Sequence, residues 1–184
     1  MHRDEARKPT NTGSLAARCL VGSEVLIHGV LGQRLQPPWL SGENQQIVGG
    51  LLLYPSDEAE PLSRDHLERG PVRLVVPDGT WRQAAKMPQR IPWMKEMKRV
   101  SLPPGAETSY RLRSEPKQGG LATMEAIARA FAVLEGKQVE AQLDDIFRRM
   151  IDRTLYSRGE ISRDEVYGGV PEGVQRHSPT SGRA

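Results

Sequence analysis

With 184 residues, 37% of them apolar, the chain can fill one core but not two large ones. No apolar run approaches the roughly 20 residues that span a bilayer, and residues 1–9 are charged where a secretion signal would be apolar, so a cytoplasmic protein with no membrane partner is expected. A lone Cys19 excludes an internal disulfide, and His2, His28, His66 and His177 keep no metal-site spacing with each other or with Cys19, so no metal is expected. The net charge is +3 and the pI about 9.2, a balance that suits a polyanionic partner without requiring one.

In chain order, Pro9-Thr10-Asn11-Thr12-Gly13 offers cap-type side chains, and Leu15, Ala16, Cys19 and Leu20 recur at helical spacing, which predicts a short first helix. Residues 24–29 alternate Val25 and Ile27 with polar neighbours and read as a strand; residues 32–43, with Pro37-Pro38 and Gly42, read as a loop. Residues 47–54 form a near-continuous apolar run that stops at Pro55, the pattern of a strand buried on both faces. Residues 56–70 are polar and acidic, with a short helix at most. Residues 72–76 predict a second buried strand, running into Pro77-Asp78-Gly79-Thr80-Trp81 and then into a helix through Met87 that Pro88 closes.

Residues 98–102 predict a further strand, ended by Pro103-Pro104-Gly105. Residues 109–115 are dense in polar groups, and Gly119-Gly120 frees the backbone ahead of a helix that Thr123 can cap. Met124, Ile127, Ala128, Phe131 and Leu134 mark its apolar face, and Gly136 its end. A second amphipathic helix is expected over 140–157 through Leu143, Ile146, Phe147 and Met150, and a disordered tail from 168 onward. Apolar strands alternating with helices predict an α/β fold: one three-layer domain around a mostly parallel sheet. Ligands of such sheets gather at the carboxyl ends of strands, here Tyr54-Pro55 and Asp78-Gly79-Thr80-Trp81.

Several residues there have two readings. Asp78, at the end of a strand, is placed either to serve as a base at a cleft rim or to cap the following helix. Gly79 either lets a ligand approach the backbone or makes the turn; Trp81 either stacks on a base or fills the core. Arg111 and Arg113, one residue apart, would share a side of an extended segment and hold a carboxylate or phosphates, or else decorate a solvated edge. Gly119-Gly120 before Thr123 is a weak backbone cradle at a helix start, and neither a GxGxxG nor a Walker loop occurs. Basic residues cluster in Arg82-Lys86-Arg90, Lys95-Lys98-Arg99 and Arg111-Arg113-Lys117, the middle group reading as a solvated face.

Asp78-Gly79-Thr80-Trp81 after an apolar strand resembles the signature of the DTW-domain family. Three further blocks match in order: Asn11-Thr12-Gly13 with Leu15-Ala16, Leu53-Tyr54-Pro55, and Ser109-Tyr110-Arg111-Leu112-Arg113 through Thr123-Met124-Glu125-Ala126. Together they cover about residues 8–135. The family is similar to the SPOUT class, so the resemblance implies a carboxy-terminal knot built by the closing block. Relatives carry a cysteine-rich segment and a first strand ahead of the Asn-Thr-Gly block. Met1 stands ten residues before Asn11, so either the domain, placed at 1–167, is a shorter variant without both, or the true start lies upstream.

The activity the resemblance implies is tRNA-uridine aminocarboxypropyl transfer: S-adenosylmethionine supplies a 3-amino-3-carboxypropyl group to the uracil N3, and methylthioadenosine leaves. Asp78 would be the base, with Thr80 and Trp81 shaping a catalytic pocket. Tyr54, Pro55, Asp78, Gly79, Arg113, Gly120 and Thr123 would hold S-adenosylmethionine, and Arg18, Arg82, Lys86 and Arg111 the tRNA. A SPOUT-type methyltransferase and a non-catalytic RNA-binding module are the alternatives, and either a monomer or a homodimer fits. Asn11-Thr12-Gly13 has no role derivable from sequence.

Overall fold

The structure, a computed structural model, describes residues 1–37, 39, 49–112 and 120–176. At its centre lies β1, Gly50–Leu53, buried along its whole length. Parallel partners flank it: β3, Arg73–Val75, with Leu51 opposite Leu74, and β4, Lys98–Ser101, with Leu53 opposite Val100. The short β2, Glu60–Pro61, pairs with the far side of β4, giving the order β2-β4-β1-β3.

Side chains alternate across a strand, and the alternation of β1 separates two layers. Leu51 and Leu53 pack with Val100, Ala130 and Leu134 on the face covered by α5, Thr123–Leu134. Leu52 points the other way, against Met87 of α3, Trp81–Arg90, Met94 of α4, Pro92–Lys95, and Ile91 between the two helices. Burying each such side chain contributes about 2 kcal/mol relative to leaving it in water.

Behind α5, a third cluster joins α2, Thr12–Cys19, and α6, Lys137–Ser157, through Ala16, Met124, Ala128, Phe147 and Ile151. Tyr110 stacks on Phe147 with ring centroids 5.6 Å apart. Gly136, at φ 114°, makes the left-handed turn between α5 and α6 that a side chain would strain. A four-residue α1, Arg3–Ala6, precedes α2. The result is the expected α/β domain with helices on both faces of a parallel sheet.

Several expectations need correction. Residues 24–29 form no strand: His28 makes one isolated bridge with His2, and Val25 and Ile27 remain 40% and 36% exposed. Alternation yields a strand only where a sheet edge receives it. β3 is less buried than expected, with Arg73 exposed and Leu74 and Val75 half-buried, because among the described residues it pairs on one side only. Pro88 does not close α3. It forgoes a bond to the Ala84 carbonyl, yet the helix runs to Arg90, and the Ile91 N–H reaches the Met87 carbonyl at 2.9 Å. Arg111 and Leu112 lie in a turn rather than an extended segment. Residues 168 and 169 carry carbonyls that accept from Arg153, and the Val170 carbonyl accepts from Arg163. Among the described residues no helix is long and apolar enough to cross a membrane.

Candidate active site

β3 ends at Val75, Pro77 has no N–H with which to resume the ladder, and Asp78 after it is buried, 7% exposed. Two distant side chains donate to it: the Asn11 amide to Oδ2 at 2.8 Å and the Thr123 hydroxyl to Oδ1 at 2.5 Å. The His2 N–H donates to the Asp78 backbone carbonyl at 2.7 Å.

Each donor is aimed by a local rule. Asn11 is the N-cap of α2, where its Oδ1 accepts the Ser14 N–H at 2.6 Å. With its acceptor so engaged, the NH2 end is turned to Asp78. Asparagine carries its acceptor and its donor on separate atoms, so it can cap the helix with one and reach Asp78 with the other; an aspartate would set two carboxylates face to face. Gly13, on the first turn of α2, brings backbone against the carboxylate: a Cβ there would lie 2.9 Å from Asp78 Cγ and 3.0 Å from Oδ2. These contacts give Asn11-Thr12-Gly13 the role that sequence reasoning could not assign.

Thr123 is not the cap of α5. Ala122 occupies that position, its N–H donating to Glu125 at 2.8 Å, which frees the Thr123 hydroxyl for Asp78. Glu125 itself, 5% exposed, also accepts the Ser109 N–H at 2.7 Å and the hydroxyls of Ser109 and Thr108 at 3.1 and 2.6 Å. It thus ties the 108–109 segment to the start of α5, a job that its place in a first helical turn did not announce.

The capping alternative for Asp78 falls to its neighbour. Thr80 caps α3, accepting the Gln83 N–H at 3.3 Å while its own N–H donates to Gln83 Oε1 at 2.9 Å. Trp81 is half-buried and belongs to none of the three core clusters. The register of Leu52 with Val75, counted forward, brings Tyr54 level with Pro77, so Tyr54-Pro55 and Asp78 leave adjacent strands at one end of the sheet. Burial raises the Tyr54 phenol above its ordinary pKa, and Pro55 is exposed. Gly79 is half-buried and Gly120 buried. Arg113 and Gly119 lie outside the described residues. Arg111 is pinned by the buried Asp152 of α6, which also accepts the Tyr167 N–H at 3.1 Å.

A cavity of about 640 Å³ runs along the outer edge of β3, with Gly13, Asp78 and Thr123 at one end and Val75, Met87 and Ile127 among its apolar walls. Pockets for small molecules fall in the range of about 300–1,000 Å³, mostly apolar with a few polar groups. Tyr54, Pro55, Gly79 and Gly120 do not line it. Arg82 and Lys86 line a smaller cavity of about 130 Å³ with His2, His28, Gln83 and Arg90. Arg18 is exposed on α2 and lines neither, nor does Arg111. Among the described residues no cluster of three or more histidine, cysteine or acidic side chains is arranged to hold a metal.

A family model described as the DTW domain matches residues 1–155. Curated relatives include proteins called tRNA-uridine aminocarboxypropyltransferase 2. That of Drosophila melanogaster is 38% identical over 87 residues, 47% of this chain and 35% of the relative. That of Macaca fascicularis is 30% identical over 139 residues, 73% of this chain and 46% of the relative. The Mus musculus protein is 33% identical over 89 residues, 47% of this chain and 30% of the relative. The chain thus spans less than half the length of these relatives. No solved structure matches it.

Proposed function

The chain belongs to the DTW-domain family, and on that premise we propose that it transfers the 3-amino-3-carboxypropyl group of S-adenosylmethionine to N3 of a uridine in tRNA. The names of its relatives support the reaction class, and one observation carries the assignment of the site. Asp78 of the family signature is a buried carboxylate gripped from two other segments of the chain, at the carboxyl end of a parallel strand.

Bound S-adenosylmethionine supplies a γ-carbon made electrophilic by its sulfonium, and methylthioadenosine is the leaving group. What the protein must add is alignment and removal of the uracil imide proton. A carboxylate offers about four acceptor positions; Asn11 and Thr123 use two at Asp78, which leaves capacity to take the N3 proton. The two donors also fix the carboxylate in one orientation, which a base acting along a defined line requires. The predominantly apolar cavity ending at Asp78 and Thr123 fits a donor of this size, and Gly13 keeps the approach to the carboxylate narrow.

In this reading Tyr54 and Pro55, at the end of β1 next to Asp78, together with Gly79 and Gly120, meet the donor from outside the cavity, Arg113 belongs to the donor site as well, and Thr80 and Trp81 shape the uridine side. Trp81, half-buried at the start of α3 just after Asp78, would stack on the uridine base in this reading. Arg18, Arg82, Lys86 and Arg111 face the tRNA. A SPOUT-like fold with a carboxy-terminal knot belongs to the same reading, supported by the parallel sheet and by the packing of α5 on it. The test is mass spectrometry of nucleosides from unmodified tRNA incubated with the protein and S-adenosylmethionine. Uridine heavier by one aminocarboxypropyl group is expected; a methyl gain would reassign the reaction, and tRNA binding with no product would leave an RNA-binding module.

A further inference from the structure

Three cations of α3, Arg82, Lys86 and Arg90, stand four residues apart and so share one face of the helix. Like charges at that spacing repel, and among the described residues none of the three is paired with a carboxylate. They form one wall of the 130 Å³ cavity, and His2 and His28 form the other, with ring centroids 6.5 Å apart and planes at 73°. Gln83 bridges the walls, its Nε2 lying 3.1 Å from His2 Nδ1. The nearest acidic group is the exposed Asp4, whose Oδ2 lies 3.3 Å from the same nitrogen. Burial, followed by the positive potential of His2, the Met1 amine and Arg90, holds the His28 imidazole below its ordinary pKa.

A small cavity ringed by two guanidinium groups, an ammonium and two imidazoles has the size of a tetrahedral oxyanion with a few waters, and is too small for a nucleoside. Its walls are also tied to the Asp78 loop. The His2 N–H donates to the Asp78 carbonyl, Gln83 caps Thr80, and a Cβ on Gly79 would lie 3.5 Å from that of His2. We infer that this cavity binds a backbone phosphate of the tRNA and so sets the distance from that phosphate to the uridine beside Asp78. The inference rests on the proposed transfer to tRNA and adds to it an anchor separate from the donor site. Arginine supplies forked donors to two phosphate oxygens, and the imidazoles complete the shell.

The test has two arms. In the first, inorganic phosphate is titrated into the full chain while histidine ring resonances are followed by NMR. His2 and His28 should shift and His66, held by Glu60 at 2.6 Å, should not. In the second, affinity for unmodified tRNA is measured across salt concentrations for Arg90→Gln and for Lys95→Gln, which lies outside the cavity. Arg90→Gln should weaken binding several-fold and lower the slope of log K against log salt by about 1; Lys95→Gln should do neither. Rings that phosphate leaves unmoved, or an Arg90→Gln slope equal to that of the unaltered protein, would overturn the anchor. Shifted rings with an unchanged slope would mean a site for free phosphate and would also overturn it. Loss of slope in Arg90→Gln, together with absence of aminocarboxypropyl uridine from reactions of the unaltered protein, would keep the anchor and sink the transfer reading instead.

Discussion

Gly13→Ala sets two effects of opposite sign against each other. Alanine is the better helix former, by up to about 1 kcal/mol in a helix interior and less in a first turn, so propensity alone predicts a small gain in stability. Against it, the new Cβ would sit 2.9 Å from Asp78 Cγ, and that side chain cannot swing away freely because Asn11 and Thr123 hold both its oxygens. Hydrogen bonds to a charged group are worth about 1.5–3 kcal/mol each. Losing much of one, after the propensity gain, leaves a net cost of about 1–2 kcal/mol, or a fall in Tm of roughly 3–6 °C for a domain of this size. Transfer activity should fall further than stability, because the carboxylate is turned from its line. Thermal unfolding followed by circular dichroism, with product formation measured well below Tm, reads both. A Tm equal to or above that of the unaltered protein, with full activity, would refute the reasoning.

Glu125→Ala strands the buried Ala122 N–H and removes the acceptor of the Ser109 N–H and of the Thr108 and Ser109 hydroxyls, which water can partly replace. At about 1–3 kcal/mol for an unsatisfied buried group, the loss should be at least about 1 kcal/mol in urea unfolding, and a loss near zero would show that the carboxylate is not a structural tie. For His28, the folded imidazole binds its proton less readily than the unfolded one, whose pKa is 6.5. The unfolded chain therefore takes up protons first, and stability should drop as pH falls below about 6.5. Comparing Tm of the unaltered protein and His28→Gln between about pH 5 and 8 should give curves that diverge in the acid range; parallel curves would refute the shift.

The parts of the fold that local pattern determines were legible in the sequence. Leu51, Leu52 and Leu53 read as a doubly buried strand, and Met124, Ala128 and Leu134 read as a helix face, because each needs only its own periodicity. The alternation at Val25 and Ile27 misled, since pairing depends on a partner elsewhere in the chain. The short β2 was invisible because two residues carry no period. At the site, the signature around Asp78 was visible, but its environment was not. Asn11 lies 67 residues away in sequence and Thr123 45, and no local rule links a helix cap to a strand end. The one cue was a glycine in the first turn of a helix, which spends stability unless something presses close, and Gly13 is pressed by Asp78.

If the Asp78 carboxylate takes the imide proton, Asp78→Asn should remove the base and little else. The amide can keep both neighbours, its oxygen accepting from Asn11 and its nitrogen donating to the Thr123 hydroxyl, so the fold should survive. Methylthioadenosine release and aminocarboxypropyl uridine are then measured with equal amounts of folded protein. The rate should fall by about 10²-fold or more, with binding of S-adenosylmethionine and tRNA largely retained. A variant that folds, binds both and turns over at the original rate would contradict that role for Asp78.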